Sequence, residues 1–205
     1  MSKTCIISNY FPIMNFQAGL GHSTILVNYG NSTYFKTLSE FLKPVLSSNN
    51  GYWIRCWHGA THGWAGTTFQ ELCSQKVPTV VIVRVGSYVF GGYTNSTWDG
   101  GISGYRSAPK SFLYSLYNTR GYSPFKLVLL NPSTNLAIYT SIGLGPAFGA
   151  GQDLLITDRA STSTTSSTRP NTYQVPEGCT HNIHCTVYAG VSPFTVSDIE
   201  VFYET

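Results

Sequence analysis

The stretch Val80-Val81-Ile82-Val83-Arg84-Val85-Gly86-Ser87-Tyr88-Val89-Phe90-Gly91-Gly92-Tyr93 decides the fold of this chain. A run of apolar, β-branched residues leads into a glycine turn, and a second apolar run follows the turn. This order predicts a β-hairpin in the protein core. The second strand ends in Phe90-Gly91-Gly92, and glycines inside a strand indicate that its backbone passes close to another part of the protein.

The composition of the whole chain also favours β structure. Its 205 residues fit one domain with a substantial core. Charged residues make up only 10% of the chain, whereas fourteen tyrosines, eleven phenylalanines, twenty glycines and ten prolines supply many rings and turns. The twelve lysines and arginines are scattered rather than clustered, which argues against a nucleic-acid-binding role.

Short strands recur along the rest of the chain. They are predicted over residues 52–57, 111–117, 125–130, 136–140, 153–158 and 199–203. The turn residues at 131–135 predict that the strands on either side of them form a hairpin. Strands of this number and spacing predict a mainly β fold, namely a two-sheet antiparallel β-sandwich with a few short peripheral helices.

Two helices and one loop complete the predicted architecture. Apolar residues at helical spacing over 35–46 predict a helix that ends near Leu42, before Pro44. Thr68 and Glu71 have the spacing of a capping box, which predicts a short helix from Thr68 to about Gln75. The Ser- and Thr-rich segment 160–169 has few residues to bury, and we expect it to be a flexible surface loop.

The five cysteines, at positions 5, 56, 73, 179 and 185, do not describe a disulfide scaffold, because their number is odd and their spacing wide. Cys56 could pair with Cys73, and Cys179 with Cys185, but we expect reduced and buried thiols.

The sequence also bears on the location of the protein. It has no apolar run long enough to span a membrane, and its first eight residues lack the apolar core of a signal peptide. We therefore expect a cytoplasmic protein, or a secreted one if the N-terminus is incomplete. Asn31 and Asn95 begin sequons for glycosylation, which would suit the secreted alternative.

Two segments contain residue types that bind metals. His58 and His62 lie four residues apart, but the glycines around them predict a loop rather than a helix that would align both rings. A second segment holds the weak metal candidates Cys179, His181, His184 and Cys185. Because a tetrahedral site normally joins two separated pairs of ligands, this heptad is not expected to hold a metal. We expect no metal and no cofactor.

Little in the sequence indicates catalysis. The Gly-rich segment 143–151 precedes strand-forming residues rather than a helix, so it does not fit a phosphate-binding loop. No Gly-x-Ser-x-Gly motif presents a nucleophilic serine. Asp198 and Glu200 could serve as acid and base near a cleft, but a strand end explains them equally well.

Six short motifs, in order along the chain, resemble those of the TLDc domain, the module of the oxidation-resistance proteins. They are an aromatic strand and loop at 53–66 with a helix at 69–73, then 77–83, 89–93, 110–116, 146–154 and 196–202. The likeness covers about residues 22–204, so we expect the domain over 22–205 and an irregular N-terminal extension over 1–21. The sequence around Arg84 and over residues 198–205 is most similar to stand-alone or extracellular invertebrate forms of the domain.

The resemblance implies a two-sheet β-sandwich, protection against oxidative stress and, for several members, binding to the V-type proton ATPase. It implies no catalytic mechanism. The positions that it marks as fold-critical or part of an interface are Phe90, Gly91, Gly92, Phe148, Gly149, Gly151, Asp198 and Glu200. The leading prediction is therefore a non-enzymatic module that acts through a protein partner.

Two alternatives remain open. The first is an extracellular recognition domain whose aromatic loop residues stack on sugars or small planar ligands. Its candidate ligand contacts are Trp57, Trp64, Tyr93, Trp98 and Tyr105. The second is a hydrolase or redox enzyme that uses the histidines at 58 and 62 or the 179–185 cluster. The few charges and the Ser/Thr-rich loop set this chain apart from the intracellular TLDc proteins.

Overall fold

The computed structural model describes residues 19–30, 32–46, 51–99 and 101–205. Within them the helices are α1 (Thr24–Asn28), α2 (Ser32–Leu42), α3 (Gly59–His62) and α4 (Gly66–Cys73), with short 3-10 helices at Leu20–His22 and Lys43–Val45. The strands are β1 (Trp53–His58), β2 (Thr79–Val85), β3 (Tyr88–Thr94), β4 (Gly104–Arg106), β5 (Phe112–Tyr117), β6 (Phe125–Val128), β7 (Ile138–Thr140), β8 (Ala147–Phe148), β9 (Leu154–Leu155) and β10 (Asp198–Glu204). Residues 1–18, which include Cys5 and most of the predicted extension, and Asn31 lie outside the described residues.

Two antiparallel sheets confirm the predicted mainly β fold. One has six strands in the order β1-β10-β2-β3-β5-β6, and the other has four in the order β4-β7-β8-β9. The predicted hairpin is β2–β3, in which Val85 pairs with Tyr88 across the turn at Gly86 and Ser87. Gly86 has a φ of +57°, which glycine adopts without the penalty that a side chain would impose.

The six-stranded sheet is buried on both faces. Along β2, Val81 and Val83 point into a core shared with the four-stranded sheet, which contributes Phe148 among others. Val80 and Ile82 point the other way, into a second core under α1 and α2. A strand covered on both faces is apolar throughout, and this explains the unbroken apolar run of the sequence.

Both predicted helices form near their predicted positions, but the predicted start of the second helix is wrong. The predicted helix over 35–46 is α2, which ends at Leu42 as expected before Pro44. The Lys126 ammonium donates to the carbonyl of Phe41 at 2.8 Å and so caps the end of α2. The prediction that a capping box at Thr68 begins the next helix is wrong. Helix α4 begins at Gly66, and the Gly66 N–H donates to the Asp158 carboxylate at 2.8 Å.

The predicted hairpin across residues 131–135 is also wrong. The turn itself forms, because the Ser133 N–H donates to the side chain of Asn131 at 3.0 Å. However, β6 pairs with β5 in the six-stranded sheet, whereas β7 pairs with β4 and β8 in the other. The turn therefore carries the chain from one sheet to the other.

The Ser/Thr-rich segment 160–169 is only in part the surface loop that we predicted, because residues 161–165 are exposed or half-buried whereas the three residues that follow them are not. Ser166, Ser167 and Thr168 are buried. The carbonyl of Ser166 accepts from the Phe194 N–H at 2.7 Å, and the Thr168 hydroxyl donates to the Cys185 carbonyl at 2.6 Å. Hydroxyl side chains can be buried when they and their backbone find such partners.

Two disulfides replace the reduced thiols that we expected. Cys56 in β1 bonds to Cys73 in α4, and Cys179 bonds to Cys185. The first bond fastens α4 to the edge strand of the six-stranded sheet. In the described part of the chain, no helix is long and apolar enough to cross a membrane.

Candidate functional site

Glu200, in the middle of β10, is fully buried and holds α1 against the sheet. Its Oε2 accepts from the Ser23 hydroxyl and, at 3.3 Å, from the Ile25 N–H. Its Oε1 accepts from the N–H and the hydroxyl of Thr24, both at 3.1 Å, and from Arg55 Nη1 at 2.5 Å. The carboxylate thus satisfies N–H groups at the start of α1 that have no partner within the helix.

Asp198, at the start of β10, makes a second network with α3. Its Oδ1 lies 3.1 Å from His58 Nε2 and accepts from the Ile199 N–H at 2.9 Å. The other ring nitrogen of His58 lies 2.9 Å from the Thr61 hydroxyl oxygen, and the His58 N–H donates to His62 Nδ1 at 3.1 Å. The backbone of His58 and the ring of His62 are therefore hydrogen-bonded to each other.

The order Asp198–His58–Thr61 has the connectivity of a hydrolase triad, and the same contacts join β10 to the end of β1 and to α3. Thr61 follows His58 by three residues, so their hydrogen bond lies within a single turn of α3. None of the three lines either of the two described cavities. The two carboxylates of β10 bind α1 and the residues around α3 to the six-stranded sheet.

The Phe-Gly-Gly motif marks the contact between the two sheets. A Cβ on Gly92 would lie 2.6 Å from the ring of Phe148 in β8, and one on Gly91 would lie 1.9 Å from the Val81 carbonyl oxygen. Phe90 is buried against the rings of Tyr188 and Phe194, with centroids 5.5 and 5.7 Å away. Both glycines are needed because each has backbone or a ring where a side chain would stand.

The second glycine motif surrounds a buried carboxylate that the sequence did not single out. Asp153 accepts N–H groups from Asn171, Thr172 and Tyr173 at 2.8 to 3.0 Å. Gly149, at φ +77°, leaves room for this carboxylate, since a Cβ there would lie 1.8 Å from Asp153 Oδ2. Burial raises the pKa of the Asp153 carboxyl, although the N–H groups act in the opposite direction.

Gly151 permits a further close approach in this motif, because a Cβ there would lie 2.1 Å from Cβ of Asn171. Gly149 and Gly151 therefore both serve the contact between the β8–β9 turn and the segment at 171–173. The signal in the sequence was an aspartate directly after a glycine-rich turn.

Most of the predicted ligand-stacking aromatics belong to the core. Trp57, Tyr93 and Trp98 are buried, so their rings have no face open to a ligand, and this part of the prediction is corrected. The rings of Trp57 and Trp98 both pack on Phe69, with centroids 5.3 and 5.6 Å away. Trp64 is half-buried and Tyr105 is 42% exposed, so these two keep accessible surface.

The 179–185 segment is a disulfide loop. The thiols of Cys179 and Cys185 are bonded to each other, so they are not free to ligate a metal. His181 Nε2 lies 3.2 Å from the Asn171 carbonyl oxygen, and His184 Nδ1 lies 3.1 Å from the Ser192 hydroxyl. Among the described residues, no group of three or more histidines, cysteines and acids is arranged to hold a metal ion.

One exposed apolar feature, the isoleucine patch of Ile102 and Ile142, was missed by the sequence reasoning. Gly104 pairs with Thr140 at the end of the β4–β7 ladder, and the Ser103 and Ser141 hydroxyl oxygens lie 3.2 Å apart just beyond it. Ile102 and Ile142 are the next residues beyond these serines, outside the paired positions, and they are 80% and 61% exposed. No periodic pattern links the two, because β4 has only three residues.

A comparison with protein-family models matches residues 22–204 to the model described as the TLDc domain. No curated protein matches the chain. The match covers all ten strands and the four α-helices described above.

Proposed function

The chain belongs to the TLDc domain family, and on this basis we propose that it is a non-enzymatic module that acts by contacting another protein. The observation that carries the proposal is the isoleucine patch, in which two large aliphatic side chains just beyond one end of the β4–β7 ladder are exposed. Contiguous exposed apolar surface marks protein contacts, and the proposal takes these two side chains as part of such a surface. The hydrogen bonds of Asp198 and Glu200 to neighbouring elements support the non-enzymatic part of the proposal, because they give both carboxylates a structural role.

The partner that family membership favours is the V-type proton ATPase, in a setting of oxidative stress. Its purified cytosolic subunits should be captured by the immobilised full chain. Changing Ile102→Asp together with Ile142→Asp should abolish capture, because it places charge in an apolar contact. Val191→Asp is the matched control, since Val191 is 55% exposed and belongs to neither strand of the ladder.

The outcomes of this experiment separate the partner from the surface. Capture that survives the double substitution would refute the isoleucine patch as the contact. Failure of every subunit to bind the unchanged chain would refute the V-type ATPase as partner.

A second candidate, an extracellular recognition domain, is favoured by the two disulfides. Disulfides persist in oxidising compartments and are rare in the cytosol. Trp64 and Tyr105 would supply the stacking surface, and Asn95 is partly exposed at its sequon. Mass spectrometry of the protein from its native cell tests this candidate. A glycan on Asn95 and no free thiol at the four paired cysteines would support it, whereas four alkylatable thiols and an unmodified Asn95 would favour the cytosolic role.

A further inference from the structure

We propose that a groove beside α4 receives the guanidinium group of an arginine side chain from a partner protein. The proposal rests on the proposed function, since it assigns a chemistry to the protein contact. One wall of the groove is a single face of α4 and its last turn. The other wall is formed by two loops at the end of the β4–β7 ladder. The lining residues are Thr67, Gln70, Glu71, Ser74, Asp99, Gly101 and Ile142.

The walls of the groove are fixed at both ends. At one end Gly66 packs so closely on the neighbouring loop that a Cβ would lie 2.7 Å from the backbone of Gly143. At the other end the backbone N–H of Trp98 donates to the Ser74 carbonyl at 2.9 Å. The Cys56–Cys73 disulfide holds α4 from behind. A groove fixed in this way loses little freedom when a side chain enters it, which favours binding.

Gln70 is the one buried residue among those that line the groove, and it is the observation that points to a ligand. It is 6% exposed, whereas its carboxylate neighbours Glu71 and Asp99 are exposed. Its Oε1 is buried and has no hydrogen-bond partner among the described residues. An unpaired buried amide is unfavourable, and a half-turn of the terminal group presents either its acceptor or its donor to the groove. A ligand that brings several N–H groups would satisfy it.

The charge of the groove selects a cation. Neither Glu71 nor Asp99 takes part in an ion pair with a described residue. Asp99 Oδ1 accepts from the Gly101 N–H at 3.1 Å, which holds the carboxylate at the rim. Arg106, in β4, donates to the backbone carbonyls of Asp99 and Ile102 rather than to a carboxylate.

The size of the groove selects a single side chain. Its volume is about 260 Å³, below the roughly 300–1,000 Å³ of pockets that take small-molecule ligands. A guanidinium has five N–H donors in a planar fork, enough for two carboxylates and the Gln70 amide, whereas an ammonium has three. Ile142 lines the groove and also belongs to the isoleucine patch, so an arginine bound here would extend from an apolar contact next to it.

The test uses the full chain labelled with ¹⁵N and N-acetyl-arginine-N-methylamide as the probe. We expect saturable shifts of the Gln70 side-chain amide and of the backbone amides of Glu71 and Gly101. The citrulline analogue has the same shape without the charge and should give no saturable shift. Changing Glu71→Gln and Asp99→Asn together should weaken binding about tenfold for each carboxylate removed. Glu40→Gln, the same change on an exposed position of α2, should leave the affinity unchanged.

Several results would overturn the proposal. These are an absent response, an equal response to citrulline, equal weakening by Glu40→Gln, or displacement of the probe by calcium chloride that alone moves the same resonances. Glu71 and Asp99 are exposed, so the double variant should keep the spectrum of the fold elsewhere. The capture experiment separates the two proposals. Arginine binding without capture of a pump subunit contradicts only the proposed partner, and capture without arginine binding contradicts only the groove.

Discussion

Replacing Glu200 with Gln tests whether this motif residue is an anchor for α1 or a surface for a partner. The substitution keeps the shape of the side chain and turns one carboxylate oxygen into an NH₂ donor. The donors that now meet Oε2, the Ser23 hydroxyl and the Ile25 N–H, would then face another donor. Arg55 would lose its charged partner at 2.5 Å.

The cost can be worked out from these contacts. Breaking a buried ion pair typically costs about 3–5 kcal/mol. The Arg55 side chain is 30% exposed and can turn to water, whereas Glu200 has no exposed surface. The lower end of that range therefore applies, and we expect a loss of about 3 kcal/mol in the free energy of unfolding. For a domain of this size, that corresponds to a fall of about 6–12 °C in Tm.

Urea unfolding followed by tryptophan fluorescence measures the loss, which should lower the midpoint without changing the slope m. Hydrogen exchange gives a sharper reading, because the amides of Leu26 and Val27 in α1 should lose more protection than those of β2 and β3. Glu40→Gln is the control and should lie within about 0.5 kcal/mol of the unchanged chain. A loss for Glu200→Gln that matches this control, or full protection of α1, would refute the anchoring role.

Three further predictions concern the core. In urea unfolding, Phe148→Ala should lower the free energy of unfolding by about 3–5 kcal/mol and Gly92→Ala by about 1–3 kcal/mol. Gly92→Ala should cost less when Phe148 is already Ala, because the ring that a Cβ on Gly92 would meet at 2.6 Å is then absent. Additive losses would contradict the contact. Changing Cys56→Ser and Cys73→Ser, which opens a link across 17 residues, should cost about 3 kcal/mol; a loss under about 1 kcal/mol would mean that the disulfide does not restrain the unfolded chain. The Asp153 carboxyl should titrate above its ordinary range by NMR, because burial raises its pKa. The folded state then binds this proton more tightly than the unfolded state, so the stability of the unchanged chain relative to Asp153→Asn should fall as pH rises through the folded pKa; a relative stability that rises over that interval would reverse the sign.

The elements that could be predicted from the sequence are those with a long local pattern. The β2–β3 hairpin has a run of seven residues on each side of a glycine turn, and α2 has three turns with an apolar stripe. Strands β4 and β8, with three and two residues, are too short to carry a pattern of their own. Whether two strands that are neighbours in the sequence share a sheet also depends on the strands with which each of them pairs. For this reason the prediction of a hairpin across 131–135 was wrong.

The candidate site was predictable in residue type but not in arrangement. Asp198 and Glu200 stand out as a carboxylate pair in a chain with few charges. However, Glu200 meets Ser23 and Arg55, which lie 177 and 145 positions away. Burial of the Ser/Thr-rich segment likewise depends on partners such as Cys185 and Phe194, which its composition does not reveal. Composition indicates only what a segment can bury by itself. Here the polar groups are buried because backbone groups that are distant in the sequence form hydrogen bonds with them.

The distribution of carboxylates indicates where binding should be tested first. Of the nine acidic residues, four are buried: Asp153, Asp198, Glu200 and Glu204. Five are exposed: Glu40, Glu71, Asp99, Asp158 and Glu177. Asp158 accepts from the first N–H of α4, so it too serves the fold. Two of the remaining four, Glu71 and Asp99, line a groove that is also lined by Ile142 of the isoleucine patch and by Gln70, whose Oε1 is unpaired. Because charges that the fold does not need are scarce in this chain, their convergence at one place favours the groove over the motif residues as the site of recognition.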